Sequence, residues 1–378
     1  MKGTGRPSLP AVAGRVVISP AVISPAVIGT AVAAGAAWGA YTVLRRYPPA
    51  GEKTWARTNH RGEPLTLLEG SAMTVGAVTG QLITAAVAAR RAGRPMAARD
   101  YPERARPSAY PAAIAGLGGV AFGLVDDLCG STKRRGLRGH LGALAHGEVT
   151  TGTVKLVGLA ATGLGAAMLE GGDPADVAIN AGLIAGGANL LNLFDLRPGR
   201  AIKVAIGSAA LIAAGGALAN GAAGRASGAA AVAAPTGAAL ALLPEDLGER
   251  AMLGDAGANA LGAMLGAAAA QTLPKSARLG LLAGVVALTV ASEKVSFTRV
   301  IEATPALRWL DMLGRRPVPL AAPVAPGTAG VGQAPAAAPV TLTPAERLTR
   351  WVRRRRPGRH RRNKALIPSR LPSRGTSP

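Results

Sequence analysis

Only 20 acidic residues occur in this 378-residue chain, and two of them, Asp126 and Asp127, stand side by side at the end of an apolar run. Adjacent carboxylates repel, and a divalent cation is the usual means of keeping both ionised. Lys133, Arg134, Arg135, Arg138 and His140 follow at once. Metal on the carboxylates with cations on phosphate oxygens would suit a magnesium diphosphate. The same pattern also describes a plain solvated boundary at a span end.

Two further stretches carry polar groups where apolar runs begin or end. In Asn189-Leu-Leu-Asn192-Leu-Phe-Asp195-Leu-Arg197-Pro-Gly-Arg200, two amides and a carboxylate recur every third residue, which on a helix puts them along one side. Unpaired polar groups at membrane depth are costly, so such a side faces a cavity, a partner or a ligand. Gly254-Asp255-Ala-Gly257-Ala-Asn259 opens another apolar helix. Asp255 reads there as an N-cap, and the same geometry can hold a metal-bound phosphate.

Other chemistries find little support. His60, His140, His146 and His360 lack metal-ligand spacing, and Cys129, the only cysteine, excludes an internal disulfide and a thiolate cluster. Nothing resembles a nucleophile elbow or a P-loop with its lysine.

The elements that must position these residues are membrane helices. The chain is 49% hydrophobic with mean hydropathy +0.26, and apolar segments of spanning length recur along it. The expected fold is all-α, a polytopic bundle of about nine to ten spans. Nine are placed at 22–44, 67–89, 110–125, 151–168, 175–193, 202–219, 227–243, 258–273 and 279–291. With 51 glycines and 3% aromatics, the helices should pack through small-residue faces. Residues 1–21 are an N-terminal segment containing the repeat Ile18-Ser-Pro-Ala-Val and Ile23-Ser-Pro-Ala-Val. Residues 22–317 form the membrane domain, 318–340 a Pro/Ala/Gly-rich linker, and 341–378 a basic tail expected to be disordered.

Alternation of spans puts the loop at Trp55 to Gly62, the Asp126-Asp127 pair, Asp195, Gly254-Asp255 and Glu293 to Phe297 on one side. The basic tail shares that side, which makes it cytoplasmic by the positive-inside tendency. The arginines at 90, 91, 94, 99, 104 and 106 run against this, falling in a loop on the other side. The net charge of +23 resides in loops and tail, so anionic lipid headgroups and phosphorylated substrates are the expected partners. Nucleic acid is not, because aromatics are not interleaved as stacking platforms.

Gly123-Leu-Val-Asp126-Asp127, Asn189-x-x-Asn192-x-x-Asp195 and Gly254-Asp255-x-Gly257, in this order, resemble the polyprenyl-phosphate N-acetylhexosamine-1-phosphate transferase family, over about Trp55 to Arg316. The resemblance implies a multi-pass bacterial plasma-membrane enzyme with a cytoplasmic active site, which uses Mg2+ to move a sugar-1-phosphate from a UDP-sugar to a polyprenyl phosphate such as undecaprenyl or decaprenyl phosphate, releasing UMP. Asp126, Asp127 and Asp195 would be the catalytic carboxylates, one of the pair a candidate base. Asn192, Asp195 and Asp255 would hold the metal. Asn189, Lys133, Arg138, Arg197, Arg200 and Lys203 are candidate phosphate contacts by their chemistry and position.

Two departures from the family pattern stand out. Its central motif continues as Asp-Gly-x-Asp-Gly, whereas Asp195-Leu-Arg197-Pro198-Gly199 lacks the glycine and second acid. The histidine-rich motif of its last cytoplasmic loop is replaced by Ser292-Glu293-Lys294-Val-Ser-Phe-Thr-Arg299. The alternative reading is therefore a catalytically impaired relative that binds lipid-linked precursors or scaffolds an envelope complex. A transporter using intramembrane carboxylates is a third. A homodimer is compatible with each.

Overall fold

A computed structural model of the chain describes residues 24–91, 109–130, 139, 142 and 146–317. The expected N-terminal segment, linker and tail lie outside the described residues. The protein is mostly helical: α1 (Pro25–Arg46), α2 (Glu52–Trp55), α3 (Leu68–Arg91), α4 (Ala109–Cys129), α5 (Thr151–Glu170), α6 (Pro174–Phe194), α7 (Arg200–Leu247), α8 (Gly254–Thr272), α9 (Lys275–Ser292), α10 (Phe297–Ala303) and α11 (Pro305–Met312). Seven of these helices are long and apolar enough to cross a membrane, which makes this a multi-pass membrane protein.

Two of the spans expected from sequence fall within the single element α7. It is not a straight rod, because Gly221 (φ 59°, ψ −135°) breaks it. The Gly199 amide donates to Asp246 Oδ1 at 3.0 Å, so the two ends of α7 lie side by side. A straight helix of that length would hold them about 70 Å apart. The two arms close on one another where Gly216 meets the backbone of Gly224. Gly221 is required at the reversal, since its left-handed φ disfavours a side chain.

Helix α8 was expected to be a span, yet it is not among the seven. Its position gives the reason. Residues 256–270 are all buried, and α3, α4, α6 and α7 pack around them. A helix surrounded by protein needs small residues for close approach more than lipid-soluble bulk, and α8 is rich in Ala and Gly. Helix α9 is the opposite case: only Val285 is buried, packed on α6.

The all-α expectation needs one correction. Residues 56–66 form an antiparallel hairpin, β1 (Ala56–Thr58) with β2 (Pro64–Thr66). Asn59 accepts from the Arg61 and Glu63 amides with its side-chain oxygen, and Gly62 turns the chain at φ 84°. Such local side-chain to backbone bonding favours a turn over a helix. Beyond the hairpin, Thr66 exchanges backbone hydrogen bonds with Arg250 and Met252, tying it to the segment before α8.

The C-terminal helices are fixed by a buried ion pair. Arg200 donates from Nε to Asp311 Oδ1 at 2.7 Å and from Nη2 to Oδ2 at 3.1 Å, with side chains 4% and 7% exposed. Arg200→Met should cost about 3 kcal/mol, because it removes the two-point partner of a buried carboxylate and leaves Arg315 to hold it at 2.8 Å. A lowered thermal midpoint of the purified protein would register it. Burial alone would push the Asp311 carboxyl up, but hydrogen bonding and charge from Arg200, aided by Arg315 and Lys203, hold it below its ordinary 3.8. A depressed folded pKa stabilises above the unfolded value and ceases to do so as pH falls through the folded one. The wild-type midpoint should therefore drop more steeply than that of Asp311→Asn on acidification below about pH 4.

Candidate active site

Asp127 lies in the last turn of α4 and caps the start of α8. Its Oδ1 accepts from the Asp255 amide at 3.0 Å and its Oδ2 from the Ala256 amide at 2.9 Å. A carboxylate suits a helix N-terminus, where free N–H groups and the dipole favour negative charge. Glycines permit the approach. A Cβ on Gly123 would stand 2.4 Å from the Asp255 carbonyl oxygen, and Gly254 turns the chain at φ 63° against Asp127. The hairpin completes the corner, since Arg57 Nη2 donates to the Asp127 carbonyl.

Asp126 and Asp255 share one ammonium. Lys155, in the first turns of α5, donates to Asp126 Oδ2 at 2.8 Å and also to Asp255 Oδ2. Sequence reasoning missed Lys155, looking for phosphate-binding cations among the loops. The available signal was a lone lysine inside a membrane-length apolar run, which by itself marks a functional position.

Asp195 is the C-cap of α6, only 7% exposed, and faces the Gly254 amide. Burial, and then the carboxylates of Asp246, Asp255 and Asp127, push its carboxyl well above the ordinary range. Its Oδ2 has no hydrogen-bond partner among the described residues. Asp127, Asp195 and Asp255 thus converge at the N-terminus of α8, from three separate parts of the chain.

The remaining expected contacts divide. Asn189 and Asn192 are half-buried on α6 near Asp195. Arg197 reaches Glu302 at 3.6 Å. Arg200 and Lys203 are turned elsewhere: Arg200 also donates to Thr298, and Lys203 donates to the carbonyls of Leu310 and Asp311. Their donors serve the C-terminal helices rather than the carboxylates. Lys133, Arg138 and His140 lie outside the described residues.

Beside this corner, a cleft of about 780 Å³ opens between the hairpin and the C-terminal helices. Arg61, Arg197, Arg308, Arg315, Arg316 and His60 help to line it. Burial first, then the neighbouring arginines, lower the His60 pKa from 6.5 against the opposing pull of Glu249, so His60 is neutral at pH 7. Glu63, Glu302 and Asp311 line it as well and pair with Arg316, Arg197 and Arg315, while Arg61 pairs with Glu249, so ion pairs make up much of the lining.

The donor set suits a divalent cation. Four carboxylates, Asp126, Asp127, Asp195 and Asp255, face two cations, Lys155 and Arg57, leaving two formal negative charges. Asp195 Oδ2 is a buried, unpartnered oxygen of the hard type that Mg2+ prefers. Among the described residues, no three His, Cys, Asp or Glu side chains are already grouped to ligate one ion. Asp195 and Asp255 are the residues that would hold it, with waters completing the coordination.

No protein-family profile matches the chain, and no curated protein matches it either.

Proposed function

We propose that this protein transfers a sugar-1-phosphate, of the N-acetylhexosamine type, from a UDP-sugar to a polyprenyl phosphate at the cytoplasmic face of a bacterial plasma membrane. The convergence of Asp127, Asp195 and Asp255 at one end of the bundle is the single observation that carries this reading. The capping of α8 by Asp127 accounts for the meeting of the first and third motifs, and the unpartnered Asp195 oxygen beside them is what a cap does not require.

Mg2+, held by Asp195 and Asp255, would neutralise diphosphate oxygens of the donor. The chain's own residues supply the rest. Asp127 has both oxygens engaged by backbone amides and so fixes the approach of α4 to α8. Asp126, its side chain 21% exposed, is the member of the pair with room to accept a proton from the acceptor phosphate. Lys155 keeps Asp126 and Asp255 at a set separation. Arg197, one of the arginines that line the cleft, would contact the leaving nucleotide in place of Glu302. Such transfer relies on positioning and charge neutralisation.

One observation favours a binding role without turnover. The ammonium of Lys155 already balances Asp126 and Asp255, and Pro198 stands where the family pattern has its second acid. The two readings separate in one assay: purified protein, undecaprenyl phosphate and a panel of UDP-sugars, with UMP release followed. Mg2+-dependent release is the expected result. Mg2+-dependent UDP-sugar binding without release would select the binding role, and neither would remove both.

A further inference from the structure

Behind the corner just described lies a second set of carboxylates that the transfer chemistry does not use. Glu69, in the first turn of α3, is 0% exposed, and neither of its carboxyl oxygens has a hydrogen-bond partner among the described residues. Asp246, in the last turn of α7, is 1% exposed; its Oδ1 takes the Gly199 amide at 3.0 Å and its Oδ2 has no partner.

The backbone forces these groups together. Gly70 packs so tightly on α8 that a Cβ there would stand 2.1 Å from the Leu253 carbonyl oxygen, which sets Glu69 against the N-terminus of α8. The Asp246 to Gly199 bond brings the end of α7 to the loop that carries Asp195. Glu69 accordingly lies within electrostatic reach of Asp246 and Asp195, and of Glu245. Glu245 is satisfied by Arg250 and Tyr41. Lys203 and Arg315 lie within electrostatic reach of Asp246 but neither donates to it, and among the described residues no cation donates to Glu69.

Water could donate hydrogen bonds to such oxygens but would not cancel their charge; an unpaired buried charge is heavily penalised, and either a proton or a bound cation relieves it. We infer that Glu69 and Asp246 hold a divalent cation of hard, oxygen-seeking character, Mg2+ or Mn2+, at a position separate from the Asp126, Lys155 and Asp255 cluster. Mg2+ keeps several of its own waters and takes only one or two carboxylates, which two separated acids provide. The same property explains why no three acids need crowd together here. The inference stands on the unpartnered oxygens alone and does not depend on the transferase reading.

The test is Mn2+ binding to the full-length protein purified in detergent, followed by electron paramagnetic resonance. The expected result is a Mn2+ site that survives in Asp255→Asn and is weakened at least tenfold in both Glu69→Gln and Asp246→Asn. Wild-type affinity in either of those two variants, or no Mn2+ site surviving in Asp255→Asn, would overturn it. Should a variant fail to fold, the wild-type protein gives the same answer by carbodiimide labelling. Modification of Glu69, mapped by mass spectrometry, should slow severalfold on adding Mn2+, and an unchanged rate would refute the site. Loss of UMP release without loss of this Mn2+ signal would count against the transferase reading only.

Discussion

Asp195→Asn should make the protein more stable and at the same time remove its activity. Asparagine is nearly isosteric, so the oxygen facing the Gly254 amide is kept. What disappears is a carboxylate surrounded by other carboxylates and lacking a partner for Oδ2. Relieving that burial should raise stability by about 1–3 kcal/mol. If Asp195 helps to hold the cation, UMP release should fall by roughly 10²–10³, the usual cost of losing one preorganised electrostatic contact. Thermal unfolding and the transfer assay on the same preparation read both effects. Retained release would refute the role for Asp195, and a lower midpoint would show that the carboxylate is there to hold the fold.

A second large effect is expected from Gly70→Ala. The added methyl would stand 2.1 Å from the Leu253 carbonyl oxygen and 2.5 Å from the Gly257 amide nitrogen. Both are backbone atoms, one on the residue that precedes the buried helix α8 and one in its first turns, so neither can swing aside as a side chain would. Overpacking of this kind typically costs 1–3 kcal/mol, and about that much or more is expected here. Separation of α3 from α8 would also disturb the corner that Asp127 and Asp255 share. Little monodisperse protein should survive gel filtration. Gly284→Ala is the control: nothing lies within 4 Å of its added carbon, so it should behave as wild type. Equal behaviour of the two variants would mean that the α3 and α8 backbones are not in contact.

Most of the helical plan could be read from the sequence because lipid imposes a strict requirement, long apolar runs with every backbone group satisfied internally. The three acidic motifs were visible for the same reason, as polar exceptions in an apolar background. Three features escaped that logic. The hairpin at residues 56–66 depends on the Asn59 side chain and on pairing with the segment before α8, a contact distant in sequence. Lys155 joins Asp126 and Asp255 from positions 29 and 100 residues away, and nothing local announces the partnership. Glu69 and Asp246 belong to none of the three motifs; the packing of Gly70 and the doubling back of α7 bury them. The basic candidates fared differently because a cation near a motif in sequence need not point at it. Arg200 and Lys203 follow Asp195 closely, yet their donors go to Asp311, Thr298 and the end of α11.

The bond between Asp127 and the first turn of α8 joins residues 128 and 129 positions apart. Ribosomes build chains in one direction, so α4 enters the bilayer long before its capping partner has been made. Until α8 arrives, the nascent protein carries an aspartate with no amides to receive it, and no shorter fragment contains the complete pocket. The corner is therefore completed only when one glycine-rich helix joins the earlier ones that pack around it, with α9 and the two short C-terminal helices still to follow.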